Sequence, residues 1–231
     1  MGVAYNPRIV TDGLRVSYDT GNVKCYPGSG NTLFSLNGTE DASTTTIATA
    51  TDATAGTILN HNSSTAITVN LSPNVNHEVW SMMLWVRSTG TTPSDYRNIV
   101  RLEQTGGPGY FYIIDTRQTT NTYVLGYQKD YYVNSWYTYD FNNQTQWTAQ
   151  GWWCIGVSHN NTVFKSYVNG DLKNTQTQTR SVVDYTNLTQ IRINPSSGNT
   201  VYMGPLFFYD KILTDDEFKQ NFNATRSRFS I

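Results

Sequence analysis

The four glutamates of the sequence are the first candidates for catalysis. Glycoside hydrolases use two carboxylates that flank the scissile bond, one as general acid and the other as nucleophile or base. The four residues are widely spaced, and none alternates with a second carboxylate along a strand-like segment; they are Glu40, Glu78, Glu103 and Glu217. Only Glu103 follows a segment that could place it at a cleft, and it stands alone. We therefore predict that the protein is not an enzyme and keep glycoside hydrolysis as a third hypothesis.

Other catalytic and metal-binding patterns are missing from the sequence. The three histidines, His61, His77 and His159, have no cysteine or glutamate ligand pattern nearby, so we interpret them as solvated turn residues rather than zinc ligands. No Gly-x-Ser-x-Gly elbow marks a nucleophilic serine. The Gly-Gly-Pro-Gly segment at 106–109 does not open a helix, which indicates a turn rather than a phosphate loop. We expect no cofactor.

Calcium is the one ion that the sequence leaves open. Ca²⁺ takes oxygen ligands, which Asp, Asn and backbone carbonyls supply in loops. The candidate ligands are Asp95, Asp115, Asp130, Asp140 and Asn142. Tight turns between strands require the same residue types, so both interpretations stay open.

The segment 127–147 combines aromatic side chains with Asn, Gln, Ser and Thr. Aromatic faces stack on sugar rings while amides and hydroxyls bind their polar edges, so this mixture suits a glycan site. It also suits an interface with another subunit, because Tyr and Trp are enriched at interfaces. A long hairpin with half of its aromatics in the core is a third interpretation. The candidate residues are Tyr131, Tyr132, Trp136, Tyr137, Tyr139 and Trp147.

The composition and the apolar pattern favour strands. Charged residues make up 14% of the chain and aromatic residues 13%, and Thr, Tyr, Trp and Val favour pleated, half-buried surfaces. Short apolar segments separated by turn signals indicate an all-β fold, either a sandwich or a jelly roll. The segment 79–86 is apolar on both faces, as in a covered central strand. Further strands are predicted at 98–102, 110–114, 152–157 and 163–168, and Asn169–Gly170 predicts a type I′ hairpin turn.

One short helix is predicted near the end of the chain. Thr214 and Glu217 have the spacing of a capping box, in which each side chain binds a backbone amide of the first turn. Leu213 and Phe218 occupy the positions of a hydrophobic staple, and Phe222 shares a face with Phe218. The acidic cluster at 215–217 is therefore interpreted as a helix start rather than a catalytic group.

Charge and hydropathy exclude two classes of partner. The net charge of −1 gives no reason to expect nucleic acid, and no apolar stretch is long enough to cross a bilayer. The first residues lack the apolar core of a secretory signal, so we expect synthesis and folding in a cytoplasm. Cys25 and Cys154 are interpreted either as two free thiols or as a disulfide.

Several segments resemble one family. The segments 9–14, 18–22 and 26–30 resemble the opening of the concanavalin A-like, laminin-G-like jelly-roll domains of tailed-bacteriophage virion proteins. Residues 204–214, with the capping box and the residues 221–225, resemble the closing strand and helix of that family. The hairpin from Trp153 to Gly170 resembles its tryptophan-containing hairpin.

This resemblance implies an all-β, two-sheet antiparallel jelly-roll sandwich with one short C-terminal helix. It also implies a virion surface protein with a lectin-like fold, such as a capsid decoration, head-fibre or tail-fibre component. Its expected partners are other virion proteins, further copies of the chain in a symmetric oligomer, and glycans of the host or environment. Residues 1–12 are predicted to form an extended attachment arm that includes Tyr5, Pro7 and Arg8, and residues 13–231 one sandwich domain. The alternative is a soluble carbohydrate-binding lectin module with no role in assembly.

Overall fold

The structure of the chain is a computed structural model. It describes residues 8–60, 66–88, 97–105, 110–119, 122–129, 151–161, 163–177, 187–193 and 201–231, and for residues 88, 97, 98, 110–119 and 122–129 it describes the backbone alone. Within these ranges the chain forms fifteen strands in two antiparallel sheets and one α-helix near its end. The predicted fold class, an all-β sandwich with a short C-terminal helix, is confirmed.

The strands are numbered in chain order and divide between two sheets. Sheet A contains β1 (Leu14–Tyr18), β4 (Thr49–Asp52), β5 (Gly56–Asn60), β7 (Val79–Ser88), β11 (Trp153–Asn160), β12 (Val163–Val168), β13 (Asp171–Thr177) and β15 (Val201–Tyr209). Sheet B contains β2 (Thr32–Leu33), β3 (Ala42–Ser43), β6 (Ile67–Asn76), β8 (Arg97–Glu103), β9 (Tyr110–Thr119), β10 (Thr122–Lys129) and β14 (Asn187–Ile193).

Each sheet combines hairpins of consecutive strands with neighbours from distant parts of the chain. Sheet A has the order β13-β12-β11-β7-β15-β5-β4, and β1 also pairs with β15. Sheet B has the order β10-β9-β8-β14-β6-β3-β2. The predicted strand pair on either side of residues 106–109 is β8 and β9, which pair antiparallel.

Strand β7 has apolar side chains on both faces because both faces of sheet A are covered. Met82, Leu84 and Val86 belong to the core between the two sheets. Met83 and Trp85 belong to a second core on the outer face of sheet A. The prediction of a central strand covered on each side is therefore confirmed.

The C-terminal helix covers this outer face. Helix α1 (Asp215–Thr225) begins with the predicted capping box of Thr214 and Glu217, and a 3₁₀ helix (Arg226–Phe229) follows it. The ring of Phe218 stacks on Tyr167 at 3.8 Å between centroids, and the ring of Phe229 stacks on Trp85 at 3.9 Å. Aromatic stacking and apolar burial thus attach the helix to sheet A.

A buried carboxylate closes the β4–β5 hairpin beside this second core. Only 1% of the Asp52 side chain is exposed. Burial opposes its ionisation, but the amides of Ala55 and Thr54, the Thr54 hydroxyl and the Arg87 guanidinium stabilise the anion and lower the pKa of Asp52 to about 2. The guanidinium of Arg87 also lies 5.6 Å from the ring centroid of Trp152.

Of the two hairpins formed by β11, β12 and β13, the second agrees with the prediction and the first differs from it. Asn169 and Gly170 have positive φ angles of 53° and 78°, which confirms the type I′ turn. Strand β11 continues to Asn160, however, so His159 is a buried strand residue and not a turn residue. The interpretation of His159 as solvated was wrong, because its strand lies between β7 and β12, which pair with it on both sides. His77 is buried as well, and His61 lies outside the described residues.

The described part of the predicted N-terminal arm is docked on the domain. The Val10 amide donates to Asn221 Oδ1 at 2.8 Å, and the Tyr209 hydroxyl donates to the Val10 carbonyl at 3.0 Å. Gln220 Nε2 donates to the carbonyl of Arg8 at 2.7 Å, while the Arg8 side chain is exposed. The predicted extended arm is therefore docked from Arg8 onward, and Tyr5 and Pro7 lie outside the described residues.

The two cysteines are free and buried in different layers. Cys25 belongs to the core between the sheets, and Cys154 belongs to the core under α1. Burial raises the pKa of Cys25 to about 11 and raises that of Cys154 as well, which keeps both thiols protonated. Of the two interpretations, the structure contains the free thiols.

No helix in the described ranges is long and apolar enough to cross a membrane.

Candidate functional site

The outer face of sheet B differs from that of sheet A in its polarity. Along β8 and β14, the side chains of Leu102, Ile191 and Ile193 are buried in the core between the sheets. Alternation along the strands therefore places their polar neighbours on the opposite, outer face. Of the described helices, both lie on sheet A, and neither covers this face.

Four polar residues of adjacent strands meet on the outer face of sheet B. Arg101 and Glu103 belong to β8, and Gln190 and Arg192 belong to β14. The register pairs Gln190 with Glu103 and Arg192 with Arg101, so that the four residues occupy two successive cross-strand positions on one face. We call this group the Glu103 cluster.

The side chain of Glu103 is buried although it is ionisable. Only 9% of its side chain is exposed. Its Oε2 atom accepts a 2.6 Å hydrogen bond from Gln190 Nε2. Its Oε1 atom is buried, and none of the described residues donates a hydrogen bond to it. A buried carboxylate oxygen without a donor is costly, so this atom is a site at which a donor would be stabilising.

The two arginines lie close to Glu103 Oε1 but too far for direct hydrogen bonds. Arg101 Nη1 is 4.0 Å and Arg192 Nη1 is 3.9 Å from this oxygen. A direct hydrogen bond from nitrogen to oxygen spans about 2.7 to 3.2 Å. An additional polar atom could therefore contact the carboxylate and a guanidinium at once. The Arg192 side chain is 36% exposed, which makes this side of the cluster accessible from solvent.

Two threonines support the edge of the cluster. The Thr105 amide donates to Thr189 Oγ1 at 2.6 Å, and the Thr105 hydroxyl lies 3.4 Å from Gln190 Oε1. These contacts orient the Gln190 amide so that its nitrogen points to Glu103. The positions of the polar atoms are thus set by the pairing of β8 with β14.

The described glutamates do not form a catalytic pair. Glu40 binds Arg15 and the Ser72 amide, and Glu217 caps helix α1. Glu78 is half-exposed next to His77. Within the part of the chain that the structure describes, the glutamates are therefore separate, as the sequence predicted, and Glu103 has arginines rather than a second carboxylate as its ionic neighbours.

Most candidate residues from the sequence lie outside the described ranges. For calcium, Asp115 lies in β9 opposite Asn98 and Gly126, and among the described residues no group of three His, Cys, Asp or Glu side chains could hold a metal ion. The remaining candidates, which stay predictions, are the aromatic residues Tyr131, Tyr132, Trp136, Tyr137, Tyr139 and Trp147 and the calcium candidates Asp95, Asp130, Asp140 and Asn142.

Three members of the Glu103 cluster, Arg101, Gln190 and Arg192, were not predicted from the sequence. Arg101 and Glu103 flank Leu102, and Gln190 and Arg192 flank Ile191, which is the alternation of a half-buried strand. This signal shows that each pair shares a face. It gives no information that the two strands are neighbours, since 87 residues separate Glu103 from Gln190.

Comparisons with known proteins identify the fold of the chain. No protein-family model matches the sequence, and no curated protein is similar to it. Trypanosoma rangeli sialidase is similar in structure with a TM-score of 0.64 at 12% identity, over 94% of this chain and 33% of the sialidase. The binding domain of Paraclostridial Mosquitocidal Protein 1 has a TM-score of 0.66 at 14% identity, over 92% of this chain and 52% of that one.

A third similar structure is the binding domain of botulinum neurotoxin DC in complex with rat synaptotagmin II. Its TM-score is 0.66 at 15% identity, over 92% of this chain and 52% of the toxin domain. The chain thus spans a third of the sialidase and about half of each toxin binding domain. At these identities, the likeness shows a shared β-sandwich fold.

Proposed function

We propose that the chain is a non-enzymatic, lectin-like binding module on the surface of a phage virion, and that it binds glycans at the Glu103 cluster. The observation that carries the binding site is the buried Glu103 Oε1 atom, which accepts no hydrogen bond from any residue that the structure describes and has a guanidinium about 4 Å away on each of two strands. A binding site on a sheet face, reached from solvent beside Arg192, suits a module that recognises a ligand without converting it.

The chemistry of the cluster favours a hydroxyl group as the bound atom. A hydroxyl can donate one hydrogen bond and accept others. Placed beside Glu103 Oε1, it would donate to the carboxylate and accept from Arg192. Saccharides carry several such hydroxyls, so a sugar could satisfy the unpaired oxygen and bridge the 3.9 Å gap to Arg192.

The similar structures support a binding role as a class. Two of them are described as binding domains, one of which is in complex with a protein, rat synaptotagmin II. Another structure of the sialidase is in complex with 2,3-difluorosialic acid. The sandwich therefore occurs in proteins with saccharide ligands and in proteins with protein ligands.

The proposed virion context rests on the resemblance of the two ends of the chain to phage virion proteins. In the structure these ends are adjacent. The Asp210 amide donates to the Gly13 carbonyl at 2.9 Å, and β1 pairs with β15. The segments that carry the resemblance thus form one unit of the fold. A soluble lectin module without an assembly role remains the alternative.

The glycan site can be tested with a glycan array and the variant Glu103→Gln. The amide keeps the shape of the side chain but removes the charge that a sugar hydroxyl would bind. A hydrogen bond to a charged group contributes about 1.5 to 3 kcal/mol, so we expect roughly 10- to 100-fold weaker binding. Glu78→Gln, at a half-exposed position in the turn before β7, is the matched control and should bind as the wild type does. Unchanged affinity of Glu103→Gln would contradict the site.

The same variant separates binding from hydrolysis. The proposal predicts that labelled polysaccharide stays intact with the wild-type protein. Turnover that is abolished in Glu103→Gln would support the glycoside hydrolase instead.

The virion role requires a separate experiment. Immunogold electron microscopy of purified phage particles, with antibody against this chain, should label heads or tails at regular positions. Particles without label, together with abundant free protein in the lysate, would favour the soluble lectin module.

A further inference from the structure

We draw no further inference here: the strongest candidate, the groove between β12 and the start of helix α1 that is lined by Lys165, Asp215 and Asp216, rests on a helix N-terminus with its acidic cluster, and no second observation in the described part of the chain points to a ligand there.

Discussion

Gly156 provides the space into which helix α1 packs, and Gly156→Ala tests this directly. The residue lies in β11 beneath the ring of Phe218. A Cβ atom at this position would lie 2.6 Å from Phe218 Cε1 and 3.3 Å from Tyr167 Cβ. Carbon atoms in contact are normally about 3.5 to 4.0 Å apart, so the ring would have to move by about 1 Å. The cost is steric, because the backbone of Gly156 has an ordinary conformation that alanine can adopt.

The expected loss of stability follows from two opposing contributions. Overpacking of a well-packed core costs about 1 to 3 kcal/mol. Part of that cost is the stacking of Phe218 on Tyr167, which is worth about 0.5 to 1.5 kcal/mol. The lower entropy of the unfolded alanine chain returns about 0.4 to 1 kcal/mol. We therefore expect the free energy of unfolding to fall by about 1 to 2 kcal/mol.

Chemical denaturation followed by tryptophan fluorescence measures this change, since Trp85 lies in the same core. A double-mutant cycle with Phe218→Leu provides the control. If the clash is the cause, the smaller side chain relieves part of it, and the two changes cost less together than the sum of their separate costs. A Gly156→Ala protein as stable as the wild type, or additive costs in the cycle, would refute the packing argument.

Three further predictions concern polar contacts. The pKa of Asp52 is lowered to about 2 from an ordinary 3.8, so its ionised carboxylate stabilises the fold above pH 4. About 2 kcal/mol of this stabilisation should be lost as the pH falls from 4 to 2. The acid denaturation of Asp52→Asn should lack this loss. Asn221→Ala leaves the Val10 amide without its acceptor, so we expect the free energy of unfolding to fall by about 1 to 3 kcal/mol and the chain to be cleaved faster after Arg8. Resistance to proteolysis equal to that of the wild type would contradict the docking of this segment. Gly21→Ala would place a Cβ 2.0 Å from Arg228 Nη2 and displace that guanidinium from its carboxylate partner; calorimetry should show a lower Tm, and an unchanged Tm would exclude the close approach.

Local signals in the sequence were sufficient to predict the helix start and the tight turn between β12 and β13. The capping box at Thr214 and the turn at Asn169–Gly170 depend on residues a few positions apart, and both formed as predicted. The sequence predicted the end of β11 too early, because the Asn-containing segment 158–161 has the composition of a turn. The strand continues because the Asn160 position still pairs with Val79 of β7, a contact that the local sequence does not reveal.

The Glu103 cluster could be predicted only in part, for a physical reason. Each half of it is a polar pair around a buried apolar residue, which indicates a half-buried strand. The halves meet because β14 lies between β8 and β6 in sheet B, and this order results from long-range pairing. A one-residue shift in the register of β14 would move Gln190 and Arg192 into the core, so the burial of Ile191 and Ile193 sets the positions of the polar residues.

The difference between the two sheets indicates where a ligand can bind. In sheet A, β7 is apolar on both faces, and helix α1 is required to cover the second face. In sheet B, β8 and β14 place charged groups on the outer face, where Glu103 is buried and Arg192 is partly exposed. Helix α1 thus stabilises the outer face of sheet A, and our proposal places recognition on the outer face of sheet B. It follows that Phe218→Leu should lower the stability without changing glycan affinity, whereas Arg192→Gln should do the reverse. If each substitution altered both properties, the separation of the two faces would be wrong.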